Sequence, residues 1–274
     1  MKVDRAVSLI MPQISLRWLT IACFEVRIGD FAVVIDPCIG ASQRAPFGAE
    51  VIDKADLILL SHGHWDHITD IKDIMDRFTC PLLCGELTAP PMLRYLNCNP
   101  RYLYPMTPNL ELDFGGAKIR ALFGKHVNQH KILKDFTEGV LTNPIIDTPE
   151  MRECAFYGYL EYRNYLITAP SGTKILFWGN EGSPEQLNIA RELKPDIALL
   201  QYTRQSPQEL AQMVAAGGIK VLIPHHMDLF KDEAEYEPLI DILEEEVHKL
   251  APDCLVITPE RLKWYHFGMM VSAE

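Results

Sequence analysis

The chain has 274 residues, 48% hydrophobic and 23% charged, the proportions of a folded globular protein and not of a disordered or fibrous one. Its 26 Lys and Arg face 37 Asp and Glu; the formal charge of −11 disfavours nucleic acid and leaves a small molecule as the expected partner. Seven cysteines without a CxxC spacing, no apolar run of signal-peptide kind after Met1–Arg5 and no stretch near the roughly 20 residues of a membrane helix lead us to expect a cytoplasmic protein with no membrane partner.

In chain order, strands are expected over Ile14–Leu19, Phe24–Ile28 and, after a Gly29-Asp30 turn, Phe31–Asp36. Ala55–Leu60 is a further apolar run that ends abruptly in the polar cluster Ser61–His67. Helical spacing of Ile71, Ile74, Met75 and Phe78 follows and stops before Pro81. Next come a strand at Leu82–Cys84, a helix over Ala89–Leu96, a strand at Arg101–Tyr104 and a hairpin about Gly115-Gly116 that leads into Lys118–Phe123.

Residues from about 130 to 153 show neither period and are expected to form an irregular insertion, which at that length is usually functional. Strands are expected again at Ala155–Tyr162, Tyr165–Ala169 and Lys174–Trp178. Ser183-Pro184 and Ser206-Pro207 each read as an N-cap followed by Pro at the first helical position. Each opens a helix that leads to an apolar strand, Ile197–Gln201 and Lys220–Ile223, and a last helix runs from about Glu237 to Leu250. The alternation predicts an α/β layered fold, with residues 1–274 forming a single domain.

Seven of the nine histidines fall in three short places: His62, His64 and His67; His126 and His130; His225 and His226. In Ser61-His62-Gly63-His64-Trp65-Asp66-His67, three imidazoles and a carboxylate follow a buried strand directly. His62 and His64, two apart, can face one cation, while Asp66 and His67 turn toward a second. Imidazole and carboxylate donors suit Zn, Mn or Fe.

With this HxHxDH run, with Val33-Val34-Ile35-Asp36-Pro37, with Lys118–His126 and with Pro224-His225-His226, the chain resembles the metallo-β-lactamase superfamily. Within it the nearest likeness is to the branch of L-ascorbate-6-phosphate lactonase and N-acyl-phosphatidylethanolamine phospholipase D. The resemblance implies a four-layer αββα sandwich and one or two divalent ions, Zn or Mn before Fe. It assigns His62, His64 and His126 to a first metal, and Asp66, His67 and His226 to a second. The bridging Asp of the family corresponds here to Asn180, a departure that removes one negative charge and should weaken the second cation. Three arrangements stay open: Asn180 coordinates through its amide oxygen, Glu181 takes the carboxylate role, or one metal suffices.

Around these ligands, Asp36 is expected to orient a ligand histidine and Asp66 to hold and deprotonate the attacking water. His225 is expected behind the metals or in the pocket wall, with Asp228 as its buttress. His130 is either a substrate contact or a solvated loop histidine. The expected function is hydrolysis of a small, anionic lactone, ester, amide or phosphodiester by metal-activated water. The alternatives are a catalytically impaired binding or sensing protein, motivated by Asn180, and an iron-dependent oxygenase.

Overall fold

The computed structural model describes residues 12–42, 45–126, 148–179, 184–203, 205–229 and 233–268. Strands β1 (Pro12–Thr20), β2 (Cys23–Ile28), β3 (Phe31–Ile35), β4 (Leu57–Leu59), β5 (Leu82–Gly85) and β6 (Leu103–Met106) lie side by side in chain order. β1 to β3 are antiparallel and β3 to β6 parallel. Helices α1 (Trp65–Ile68), α2 (Ile71–Phe78) and α3 (Ala89–Leu96) fall in the crossovers of the parallel half.

The second sheet repeats the plan. β7 (Glu111–Asp113), β8 (Lys118–Gly124), β9 (Tyr162–Thr168) and β10 (Lys174–Trp178) are antiparallel. β11 (Ile197–Gln201), β12 (Val221–His225) and β13 (Leu255–Val256) continue it in parallel. Between these strands run α4 (Pro149–Leu160), α5 (Pro184–Leu193), α6 (Pro207–Gly217) and α7 (Glu233–Leu250). The last strand, β14 (Trp264–Gly268), returns to the first sheet and pairs antiparallel with β1.

Strand alternation builds the layers. Val33, Ile35, Leu57 and Leu59 point between the sheets, where they meet Ile119, Ile167, Phe177 and Ile223 of the second sheet. Their neighbours Val34, Ile58 and Leu60 face outward against Ile71, Ile74 and Met92 of α2 and α3. On the other flank, Leu176, Leu200 and Leu222 pack on Ala190, Leu210, Val214 and Leu243 of α5, α6 and α7. Strands covered on both faces carry continuous apolar runs, which is why they read so plainly in the sequence. The result is the expected αββα sandwich.

Four expectations need correction. Residues Ala155–Leu160, expected as strand, belong to α4, and the segment expected to be irregular as far as Glu153 is helical from Pro149. Thr148 caps this helix by accepting a hydrogen bond from the Met151 amide, and Pro149 takes the first helical position. The buried face, Met151, Cys154, Ala155 and Gly158, has helical spacing but only Met151 is large, so its apolar signal is faint. β6 begins only at Leu103, since Pro100–Tyr102 forms a 3-10 turn, and α7 begins at Glu233. Residues 127–147, which include His130, lie outside the described residues.

The N-cap expected at Ser206 is a full capping box: its hydroxyl accepts from the Glu209 amide at 3.2 Å, and the Glu209 carboxylate accepts from the Ser206 amide at 2.8 Å. Ser206→Ala is expected to destabilise the protein by about 1 kcal/mol, read as a lower urea midpoint at unchanged slope.

Candidate metal centre

The centre forms where strands end. β4 runs into Ser61 and the His62–His67 loop, β8 ends at Gly124 two residues before His126, and β12 ends at His225 next to His226. Because parallel strands point their ends the same way, stretches far apart in sequence deliver side chains to one place.

Two donor sets result. His62, His64 and His126 form one, Asp66, His67 and His226 the other; within each set the donor atoms all lie within 4.8 Å of one another. The sets abut, with the His62 and His67 ring centroids 4.1 Å apart. In the second set His67 Nε2 stands 3.3 Å from His226 Nε2, and Asp66 Oδ2 stands 3.7 Å and 3.4 Å from those two nitrogens. Donors at about 2.0–2.2 Å from a tetrahedral ion are themselves about 3.3–3.6 Å apart, so this triangle has the dimensions of three corners of a coordination shell. In the first set His62 Nε2 and His64 Nδ1 are 3.0 Å apart, and the His126 ring lies 5.2 Å and 4.6 Å from those of His62 and His64. The donors present fit two divalent cations.

One carboxylate sets the tautomers. Asp36 Oδ2 accepts from His67 Nδ1 at 2.7 Å and from the Ser61 hydroxyl at 2.5 Å, while Oδ1 accepts from the Ser61 amide at 2.7 Å. The Ser61 oxygen lies 2.9 Å from His62 Nδ1 and accepts its proton. Nε2 of both His62 and His67 is thereby left with its lone pair toward the cluster. Asp36 therefore orients one histidine of each donor set, the second through Ser61, a residue to which the sequence assigns no role.

Burial decides the charge states. Desolvation holds His62 and His64 well below the usual imidazole range, and neighbouring imidazoles push both further down. For His67 burial works in the same direction, but Asp36 and Asp66 outweigh it and raise the pKa. Asp66 is buried too, yet His67 and His226 hold its carboxyl far below the carboxylate range, so it stays ionised at neutral pH.

Helix α4 presses directly on the HxHxDH loop. A Cβ on Gly63 would lie 2.2 Å from the Cys154 carbonyl oxygen, and one on Gly158 would lie 2.7 Å from His64 Cδ2 and 3.1 Å from the Gly63 nitrogen. Glycine is needed at both positions for backbone to approach backbone. The close fit sets the Tyr159 ring 4.1 Å from His64 and 5.4 Å from His126, and just beyond the helix the Tyr162 ring stacks on His62 at 4.5 Å. Neither tyrosine stands out in the sequence, because residues 155–162 read there as strand; Thr148-Pro149, a cap like Ser206-Pro207, is the signal that places them on and after a helix.

Of the remaining expected residues, Asn180 and Glu181 lie outside the described residues. His225 is fully buried and lines no pocket wall: its ring stacks on Phe177 at 5.2 Å and meets Phe24 edge-on at 5.4 Å. Neither of its ring nitrogens makes a hydrogen bond among the described residues, so Asp228 is not its buttress. Asp228 instead accepts the Ile21 amide and pairs with Arg261. Adjacent residues of an extended segment face opposite ways, which sends His225 into the inter-sheet core and His226 to the cluster.

The chain belongs to the metallo-beta-lactamase superfamily, whose family model matches residues 16–199. It is similar to a UPF0173 metal-dependent hydrolase of Myxococcus xanthus, 27% identical over 252 residues that cover 89% of this chain and 80% of that protein. Among solved structures it resembles Igni18, a metallo hydrolase of Ignicoccus hospitalis, with a TM-score of 0.67 and 16% identity over 93% of this chain and 99% of that one. It also resembles CmlA, a diiron beta-hydroxylase of Streptomyces venezuelae, with a TM-score of 0.60 and 15% identity over 94% of this chain and 54% of that one. At these identities the two structures establish the shared fold alone.

Two outcomes are expected. Gly158→Ala displaces His64 and should weaken Co(II) binding at the His62, His64 and His126 set by about 10-fold or more, with the other set little changed, as titrations of single-set variants would show. In the metal-free protein, His62, His64 and His225 all have lowered pKa values in the fold, against one raised value at His67. As pH falls below about 6.5 the unfolded chain takes up protons that these three refuse, so stability drops, while the His67 contribution is fully present there. Urea midpoints measured in EDTA between pH 7.5 and 5.5 should therefore fall on acidification.

Proposed function

We propose that the protein is a metal-dependent hydrolase that uses water on a small anionic lactone, ester, amide or phosphodiester. The observation that carries this reading is the pair of abutting donor sets, in which burial keeps His62 and His64 neutral and Asp36 and Ser61 fix the tautomers of His62 and His67, with the ionised Asp66 beside them. The hydrolase named in Myxococcus xanthus, which this chain matches over most of both lengths, supports it.

His62, His64 and His126 would hold one divalent ion and Asp66, His67 and His226 a second, with Zn or Mn suiting imidazole and carboxylate better than softer ions do. Such ions lower the pKa of water and polarise an acyl or phosphoryl oxygen. The chain supplies the rest. Asp66, ionised beside both sets, would accept a hydrogen bond from the attacking water and help to pass its proton on. Asp36 and Ser61 keep His62 and His67 in the donor tautomer. Tyr159, half-buried beside His64 and His126, offers an aromatic edge to a substrate entering on that side.

The reading places the whole chain in one catalytic domain and in the reducing cytoplasm, without a nucleic-acid or membrane partner. Support comes from the charge of −11 and from seven cysteines that are all free, and no helix among the described residues is long and apolar enough to cross a membrane.

The test is an assay of Zn- and Mn-loaded protein on a lactone, nitrophenyl esters and a bis-nitrophenyl phosphodiester. Hydrolysis that chelation removes, and that His67→Ala lowers by more than about 100-fold, beyond what loss of an outer partner costs, is expected. A parent that binds metal yet turns over nothing, and gains activity on Asn180→Asp, would establish the sensing reading instead.

A further inference from the structure

Three residues near the centre have backbone in the left-handed region: Ile21 with φ of 49°, Asp36 with 45° and His226 with 72°. Positive φ costs a residue with a Cβ roughly 1–2 kcal/mol and is rarest for β-branched side chains, so each needs neighbours that hold it. For His226 the holder is Ile21, at the tip between β1 and β2. The His226 amide donates to the Ile21 carbonyl at 2.8 Å, and the Trp18 indole donates to the same oxygen at 3.0 Å. The Ile21 amide in turn donates to both oxygens of Asp228, at 3.0 Å and 3.2 Å.

The Asp228 side chain is fully buried, and a buried carboxylate requires a compensating charge. Arg261 supplies it: a terminal nitrogen donates to Asp228 Oδ2 at 3.1 Å, and the guanidinium lies 5.1 Å above the Trp18 ring. Trp18 and Arg261 are also joined by an isolated β-bridge, and the Leu262 amide donates to the Trp18 carbonyl. Arg261 Nε is buried without a hydrogen bond among the described residues, so the guanidinium acts on Asp228 through its charge and one terminal nitrogen. His226, Asp228 and Arg261 all lie beyond residues 16–199, where the family model ends.

We propose that Arg261 is a positioning residue for the Asp66, His67 and His226 donor set: by neutralising Asp228 it fixes Ile21, and Ile21 fixes the left-handed backbone that aims the His226 imidazole. The inference rests on the reading of that set as a cation site. Asp36 serves the ring of His67, and Arg261, through two intermediaries, serves the backbone of His226.

The experiment uses the full-length, metal-free chain and Co(II) as probe. Affinity at the second set is measured in a His64→Ala background and affinity at the first in an Asp66→Ala background. Arg261→Met should weaken Co(II) at the second set by about 10-fold or more and change the first by less than about 2-fold, with Arg261→Lys recovering most of the loss. Because the arginine acts through the charge on Asp228, Arg261→Met should cost little when added to Asp228→Asn, whose amide oxygen still accepts from Ile21. Equal weakening at both sets, or the same loss in the Asp228→Asn background, overturns the proposal. If the second set takes no Co(II) even with Arg261 in place, the cation reading falls, and NMR of the metal-free protein decides the positioning. Shifts of the Ile21 and His226 amides in Arg261→Met, with those of His62 and His64 unmoved, support it; unmoved Ile21 and His226 overturn it.

Discussion

The Asp36 carboxylate, fully buried at the end of β3, is the contact on which the centre depends. Its two oxygens satisfy the Ser61 amide, the Ser61 hydroxyl and His67 Nδ1, and through Ser61 its influence reaches His62. A buried anion of this kind costs several kcal/mol unless its hydrogen bonds are complete, and here completing them is the same act as orienting two imidazoles. The polar demand of one side chain and the directional demand of a metal site have a common solution. Asp36 itself has left-handed backbone, a strain that persists because the hydrogen bonds around it over-determine its place.

Much of the layer order was legible in the chain, and the reason is physical. Strands buried on both faces, such as Phe31–Ile35 and Ile197–Gln201, must be apolar throughout, and helices opened by Ser-Pro announce their first turn. The His62–His67 run was visible because its donors are close in sequence. What escaped were contacts whose partners are distant or whose signal lies in small size and not in polarity. Gly158 is informative only once it is seen to touch His64, and α4 hides its inner face behind Cys154 and Ala155. Arg261 and Ile21 look ordinary as letters; only the fold brings them to Asp228. Strand alternation, on the other hand, correctly sends His225 and His226 in opposite directions.

The second sheet does more than complete the core. It contributes His126 and His226 from strand ends, and Tyr162 as a plate beneath His62. Because its inner side chains interlock with those of the first sheet, the distance between the two halves of the centre is set by Ile119, Ile167, Phe177 and Ile223. A small change in that layer alters where two of the imidazoles stand.

The return of β14 to the edge of β1 has a consequence for how the molecule is made. A ribosome releases β1 long before β14, so through most of the synthesis of the residues between them β1 carries an open row of amides and carbonyls. Contacts as distant as Trp18 with Arg261 place the closing step late and make folding slow for a chain of this size. The nascent protein is thus most vulnerable to strand addition by a second copy in the interval before Trp264–Gly268 emerge, and chaperone protection of that edge matters most then.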